Sequence, residues 1–314
     1  MNKFWIGLVC FPSIFLSTLV KAQEEVALTV EGVTLKGTLT LPASKPTFPI
    51  AFLIAGSGPT DRNGNNPMMT NNSLKIVSDS LVRRGIATLR YDKRGVAASK
   101  SGQLKEEDMD FQGSVRDAEA WLQWIRKDSR FGKITIIGHS EGALVGLLAC
   151  GYANQYVSLN GAGFPADQII LRQLSEQAPG LVEQAKPILD SLKRGYTVTQ
   201  VPPLLQSLFR LSVQPYMMSW FKHDPALLLS QLIIPGLIVQ GTNDIQVSME
   251  DANRLVKYNP SLQKLVVEDM NHILKKAPKD RLSNIQTYSN PSLPVPTELI
   301  QPLAQFIKTG YWKR

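Results

Sequence analysis

Histidine and cysteine are both scarce here, three and two among 314 residues. A structural or catalytic zinc site needs three or four such ligands brought together, so no metal ion is expected, and nothing in the chain asks for an organic cofactor. Cys10 lies in an apolar N-terminal stretch, which leaves Cys150 alone in the body of the chain and no intrachain disulfide to form. Cys150 closes the apolar run 144–150 and reads as a small buried core residue. Internal repeats, low-complexity tracts and long charge runs are also missing. The net charge is +8, but its basic residues are scattered, with short pairs such as Arg83-Arg84 and Lys275-Lys276. A basic stripe interleaved with aromatics, as a nucleic-acid surface requires, is not there. No nucleic-acid partner is expected.

Long apolar runs are absent except at the start. Lys3 precedes Phe4 to Val20, almost wholly apolar, and Val20-Lys21-Ala22 then offers modest residues before polar Gln23-Glu24-Glu25. That is the layout of a secretory signal peptide cleaved after Ala22. The alternative is an uncleaved anchor, although the segment is near the lower length limit for a span. Cys10 sits too early to be a lipoprotein cysteine. The expectation is therefore residues 1–22 as signal peptide, residues 23–314 as the exported protein, periplasmic or secreted, and no stable membrane insertion after cleavage.

The remaining chain reads as one α/β unit. Val26 to Val30 and Val33 to Leu41 alternate apolar with polar residues around Glu31-Gly32, the pattern of a hairpin. Ile50 to Ile54 is continuously apolar, as in a strand buried on both faces. Helices are then expected over 73–84, 110–127, 141–152, 249–258 and 297–308. Strands are expected over 86–91, 133–137, 156–159, 235–240 and 264–267. In the 110–127 segment Val115, Ala118, Leu122 and Ile125 share one helical face. Such alternation argues for a mostly parallel sheet covered by helices on both faces. Residues 165–231 break the rhythm: they lack a good strand and carry amphipathic stretches and several prolines. They are expected to be a helical cap over the site; the alternative is an extended helical layer.

Chemistry concentrates after the strand 133–137. Gly138-His139-Ser140-Glu141-Gly142 fits G-x-S-x-G between an apolar strand and an apolar helix. The sharp turn that exposes a serine there crowds the backbone, and glycines on either side relieve it. A serine hydroxyl needs a base, and the base needs an orienting group. His272 follows the strand 264–267 and is the expected base. His139, next to the serine, and His223, in the cap, read as structural. Asp244 ends Gly241-Thr242-Asn243-Asp244, directly after the strand 235–240, and is the expected acid, with Asp269 and Asp167 as rivals. Backbone N–H groups of Ser57, in the glycine-rich turn after Ile54, and of Glu141 are expected to form the oxyanion hole. No Lys-Ser or Lys-Thr follows that turn, which excludes a nucleotide P-loop.

Five motifs stand in order: Gly-Ser-Gly-Pro-Thr-Asp-Arg-Asn-Gly-Asn (56–65), Tyr-Asp-Lys-Arg-Gly (91–95), Gly-His-Ser-Glu-Gly (138–142), Gly-Thr-Asn-Asp (241–244) and Asn-His (271–272). Together they resemble the α/β-hydrolase superfamily, and more closely its bacterial esterase-like members, grouped beside the serine aminopeptidases. The resemblance runs from about Val26 to the C-terminus and includes Ser-Val-Gln-Pro-Tyr (212–216). It implies the α/β-hydrolase fold and the Ser140–Asp244–His272 triad, and is silent on the substrate. There are two departures: Ala55 stands where many relatives have histidine, and Ala97 where they have glycine. Asp61, Arg62 and Asn63 either line the pocket mouth or brace the polar loop.

Three functions remain open on the sequence. The first is hydrolysis of a small-molecule carboxylic ester through an acyl-enzyme. The second is an exported aminopeptidase, which would need an acidic pocket for the substrate amine, with Glu176, Glu183 and Asp190 as candidates. The third is an inactive binding protein on the same fold, which the filled triad positions speak against. Oligomeric state and substrate-binding residues are not legible.

Overall fold

The computed structural model describes residues 22–43, 47–102 and 104–313. The expected signal peptide lies, apart from Ala22, outside the described residues. The strands are β1 (Ala22–Val30), β2 (Val33–Leu41), β3 (Phe48–Ile54), β4 (Ala87–Tyr91), β5 (Phe131–His139), β6 (Gln155–Leu159), β7 (Gly236–Gly241) and β8 (Gln263–Val267). They form an eight-stranded sheet in the order β1-β2-β4-β3-β5-β6-β7-β8. The β1–β2 and β2–β4 pairs are antiparallel and all later pairs are parallel. Glu31 and Gly32 join β1 to β2 with φ of 50° and 79°. Positive φ at both turn positions matches the right-handed twist of a two-residue hairpin. Cleavage after Ala22 would leave the ladder intact from Gln23↔Thr40 onward.

The helices are α1 (Ser73–Val82), α2 (Phe111–Arg126), α3 (Glu141–Leu148), α4 (Ala166–Gln177), α5 (Val182–Lys193), α6 (Gln206–Phe209), α7 (Gln214–Trp220), α8 (Pro225–Leu229), α9 (Met249–Tyr258), α10 (Arg281–Gln286) and α11 (Thr297–Thr309). The continuous apolar run of β3 divides by residue parity between the two faces. Ile50, Phe52 and Ile54 pack with α2, α3, α8 and α9, whereas Ala51 and Leu53 pack with α1 and α11. Each fully buried Leu, Ile or Phe in this arrangement contributes about 1.5–3 kcal/mol, so both helical layers hold the strand in place. Val115, Ala118, Leu122 and Ile125 are all buried, as their shared face requires.

Residues 165–231 form α4 to α8 between β6 and β7. Most of this insertion has a core of its own, built from residues such as Ile170, Ile188, Leu192, Phe209 and Phe221. The last helix differs: Ala226 and Leu229 of α8 belong to the core under the sheet. Two smaller expectations are corrected. The helix expected over 141–152 stops at Leu148 and continues as a separate turn, Cys150–Tyr152. Cys150 sits in that turn, half-buried against the core instead of inside it. The short helix α10 was not foreseen.

Candidate active site

β5 runs into α3 through Ser140, whose φ of 54° and ψ of −122° are unfavourable for a residue with a side chain. Such a conformation costs on the order of 1–3 kcal/mol and persists only where the surroundings impose it. Here they do. A Cβ on Gly138 would fall 2.1 Å from the Gly142 carbonyl oxygen, and one on Gly142 would fall 2.5 Å from that of Ile54. Ser140 N–H donates to the Leu159 carbonyl at 3.0 Å, and the Ser140 carbonyl accepts from Ala143 N–H at 3.0 Å. The two glycines thus allow the helix to start against the end of β3 and leave Ser140 at the bend.

The loop after β7 carries Asp244 to the loop after β8. Asp244 Oδ2 lies 2.8 Å from His272 Nδ1, with the aspartate side chain closed to solvent and that of His272 5% exposed. Asp244 Oδ1 accepts from the backbone N–H groups of Gln246 at 2.8 Å and Val247 at 3.0 Å. The rivals go elsewhere. Asp269 is exposed and accepts from Asn243 Nδ2 at 3.2 Å, and Asp167 pairs with Lys193 at 2.7 Å. Gly241 is needed because a Cβ there would meet the Met270 carbonyl oxygen at 2.1 Å, so the two loops could not approach. Ser140 Oγ and His272 Nε2 make no hydrogen bond to each other or to another described residue. In unliganded sites this contact often closes only with substrate bound.

Two residues that hold His272 were not foreseen in these roles. His139 Nε2 lies 2.7 Å from the His272 carbonyl oxygen, and Asn160 Nδ2 donates to the same oxygen at 3.2 Å and to that of Asn271 at 3.0 Å. Asn160 Oδ1 accepts from Gly241 N–H at 3.0 Å, which ties the loops after β6, β7 and β8 together. A carbonyl only accepts, so His139 carries its proton on Nε2. Burial, then the neighbouring His272, lowers the His139 pKa from 6.5 to about 4. Between these values the unfolded chain takes up a proton that the folded protein refuses, so stability falls as pH drops from 6.5 towards 4. The loss is about 3 kcal/mol. His139→Gln retains an amide donor for the carbonyl but cannot titrate. Urea unfolding at pH 7, 5 and 4 should give a flatter stability profile for this variant; parallel profiles would remove His139 as the cause.

The turn after β3 approaches Ser140 from the other side. A Cβ on Gly56 would stand 3.1 Å from that of Ser140. Ser57, Ser140 and Glu141 line one cavity. Among the described residues, neither Ser57 N–H nor Glu141 N–H has a protein acceptor. The segment 61–63 braces its own loop and does not line the cavity. Asp61 Oδ1 accepts from Asn63 and Asn65 N–H, Arg62 pairs with buried Asp92 at 2.9 Å, and Asn63 Oδ1 accepts from Arg90. Ala55 is buried. Ala97 adopts a φ of 44°, which costs about 1–2 kcal/mol that glycine would avoid.

The cavity at Ser140 measures about 360 Å³. Its far wall comes from the insertion, with Ile169, Ile170, Leu208, Met217 and Trp220 among its apolar residues, and Leu144 and Phe164 add to the apolar lining. The charged side chains at its wall are Arg210, paired with Glu106, and Glu141, whose Oε1 accepts from Tyr216 OH at 3.0 Å. Glu176, Glu183 and Asp190 are exposed and do not line it.

Solved structures with the same chain path show that this is the α/β-hydrolase fold. Est1E from Butyrivibrio proteoclasticus superposes with a TM-score of 0.59 at 16% identity, covering 91% of this chain and 98% of Est1E. The Pyrococcus furiosus esterase Pf2001 gives 0.58 at 19% identity, covering 93% and 91%. Within that class the chain belongs to the serine aminopeptidase S33 family, whose model matches residues 71–228. The matched stretch contains Ser140 and most of the insertion but not Asp244 or His272. Esterase EstD of Thermotoga maritima is 27% identical over 260 residues, 80% of this chain. The chain spans 60% of the length of that relative.

Proposed function

We propose that this protein is a serine hydrolase that cleaves small-molecule carboxylic esters through an acyl-enzyme. The observation that carries the reading is the Asp244–His272 hydrogen bond, formed at the end of the sheet where Ser140 is held in a strained bend. In this mechanism Ser140 Oγ attacks the ester carbonyl carbon while its proton passes to His272 Nε2. The carbonyl π pair moves to oxygen, and the resulting anion is met by the N–H groups of Ser57 and Glu141. The tetrahedral adduct then collapses, the C–O bond to the alcohol breaks, and the leaving oxygen takes the proton from His272. A water molecule repeats the sequence on the acyl-enzyme and restores Ser140. Asp244 stays ionised, keeps the His272 proton on Nδ1 and offsets the charge of the imidazolium.

The cavity favours an acyl ester over an aminoacyl amide. Its walls are mostly apolar, and the methionine Met217 lets the wall adapt to several chain shapes. An aminopeptidase would need a free carboxylate for the substrate ammonium. Glu176, Glu183 and Asp190 do not line the cavity, and Glu141 is already engaged. An ester also makes less demand on His272, because an alkoxide leaves more readily than an amide nitrogen. The EstD and Pf2001 names point the same way, whereas the family name points to peptides. A matched pair decides between them: an acyl nitrophenyl ester and an aminoacyl nitroanilide, compared by kcat/KM. The ester should win by more than the ratio of the uncatalysed rates. A nitroanilide preference after that correction makes the protein an aminopeptidase.

A further inference from the structure

Lys93 is buried where a cation is expensive to keep, and it takes no part in the proposed proton and bond changes. It follows β4 in Tyr91-Asp92-Lys93-Arg94-Gly95, and its neighbours in that motif have structural duties. Tyr91 stacks on Phe52, Asp92 holds Arg62, and Arg94 pairs with Asp117. Lys93 Nζ instead donates to the carbonyl oxygen of Gly56 and lies 3.7 Å from Glu141 Oε1, with the two side chains 9% and 3% exposed. Burial pulls the ammonium pKa down and the Glu141 carboxylate opposes the shift. The Glu141 carboxylate also accepts from Tyr216 OH of α7, so the insertion, α3 and the turn after β3 meet at this pair.

The Gly56 carbonyl belongs to the same planar peptide as Ser57 N–H. In a trans peptide the C=O and N–H point in opposite directions, so fixing the oxygen fixes the line along which the hydrogen points. A cation on the oxygen also draws charge through the amide and makes its N–H a better donor. Gly56 lies against Ser140, which places this peptide beside the reacting atoms. We infer that Lys93 is a positioning residue: it holds and polarises the Gly56–Ser57 peptide so that Ser57 N–H meets the oxyanion. The inference rests on the proposed serine-hydrolase reading and assigns a task within it.

The role concerns the transition state and not the bound ester, which separates it from a merely structural one. Deleting a whole oxyanion donor costs about 10²–10³ in kcat, so misaiming and weakening one should cost about 10–100-fold. Lys93→Met should therefore lower kcat for a nitrophenyl ester by about 10–100-fold with KM within about twofold. Affinity for an acyl trifluoromethyl ketone, which adds to Ser140 as a tetrahedral anion, should fall by the same factor. Affinity for the corresponding unreactive amide should not change. Because Lys93→Met strands a buried carboxylate, the neutral pair Lys93→Met/Glu141→Gln is measured beside it and should show the same kcat loss. Wild-type kcat in that double variant, or equal weakening of ketone and amide, overturns the inference. A wild-type protein that cleaves no ester and takes up no fluorophosphonate removes the hydrolase reading itself.

Discussion

Ser140→Ala is expected to abolish covalent labelling by a fluorophosphonate and to lower ester kcat by roughly three to six orders of magnitude. The residual rate, on the order of 10³–10⁴ over water, would come from the oxyanion donors and binding alone. The substitution removes one oxygen atom from a half-exposed side chain, so folding should be nearly unaffected. The strain at a φ of 54° stays the same, because alanine keeps the Cβ that causes it, and no hydrogen bond is lost, since Ser140 Oγ has no partner among the described residues. Intact-protein mass spectrometry after fluorophosphonate treatment, with turnover and melting temperature of the same samples, makes the comparison. A labelled Ser140→Ala protein, or one with near-normal turnover, would move the nucleophile elsewhere. A wild-type protein that is neither labelled nor active would favour the inactive binding protein.

The part of this site legible in the sequence is the part in which backbone crowding dictates the residue. Gly138, Gly142 and Gly241 leave space that a single Cβ would fill against a carbonyl oxygen, so their positions announce the bend and the close loops. The sheet was legible for a similar reason. β3 must bury both faces, and its uninterrupted apolar run says so, while β1 and β2 alternate because part of each faces solvent. What could not be read is pairing between distant polar groups. His139 and Asn160 act on the backbone of His272, and Lys93 acts on the backbone of Gly56; a backbone carbonyl leaves no mark in a sequence. His139 beside the serine reads as structural, but its partner, the His272 carbonyl, could not be named for that reason. A polar residue at the end of an apolar strand, as Asn160 is after β6, was the available signal for the second. The insertion reads as helical from its amphipathic stretches, but those stretches do not tell α8, which joins the main core, from helices that pack among themselves.

The sharpest discrimination lies between two aspartates near His272. Asp244→Asn should lower kcat by on the order of 10⁴, whereas Asp269→Asn should change it by about twofold or less. The reason is the fixed orientation of residue 244. One carboxylate oxygen accepts two backbone N–H groups, from Gln246 and Val247, and the other faces His272 Nδ1. An asparagine in that place must keep its oxygen on the two N–H donors, because its NH₂ group would face them donor to donor. The NH₂ group is then turned towards Nδ1. A nitrogen that receives a hydrogen bond cannot carry the proton, so the imidazole proton moves to Nε2. That nitrogen can no longer accept from Ser140, and the base is lost although the geometry survives. Asp269 has no such leverage: it is exposed, its side chain accepts from Asn243 alone among the described residues, and its φ of 58° suits asparagine as well as aspartate. Both variants should therefore melt near the wild-type temperature, which confines the comparison to chemistry. Ester kcat at a saturating concentration gives the ranking. If Asp269→Asn proves the more damaging, His272 is oriented by the exposed loop, and the acid has been assigned to the wrong strand end.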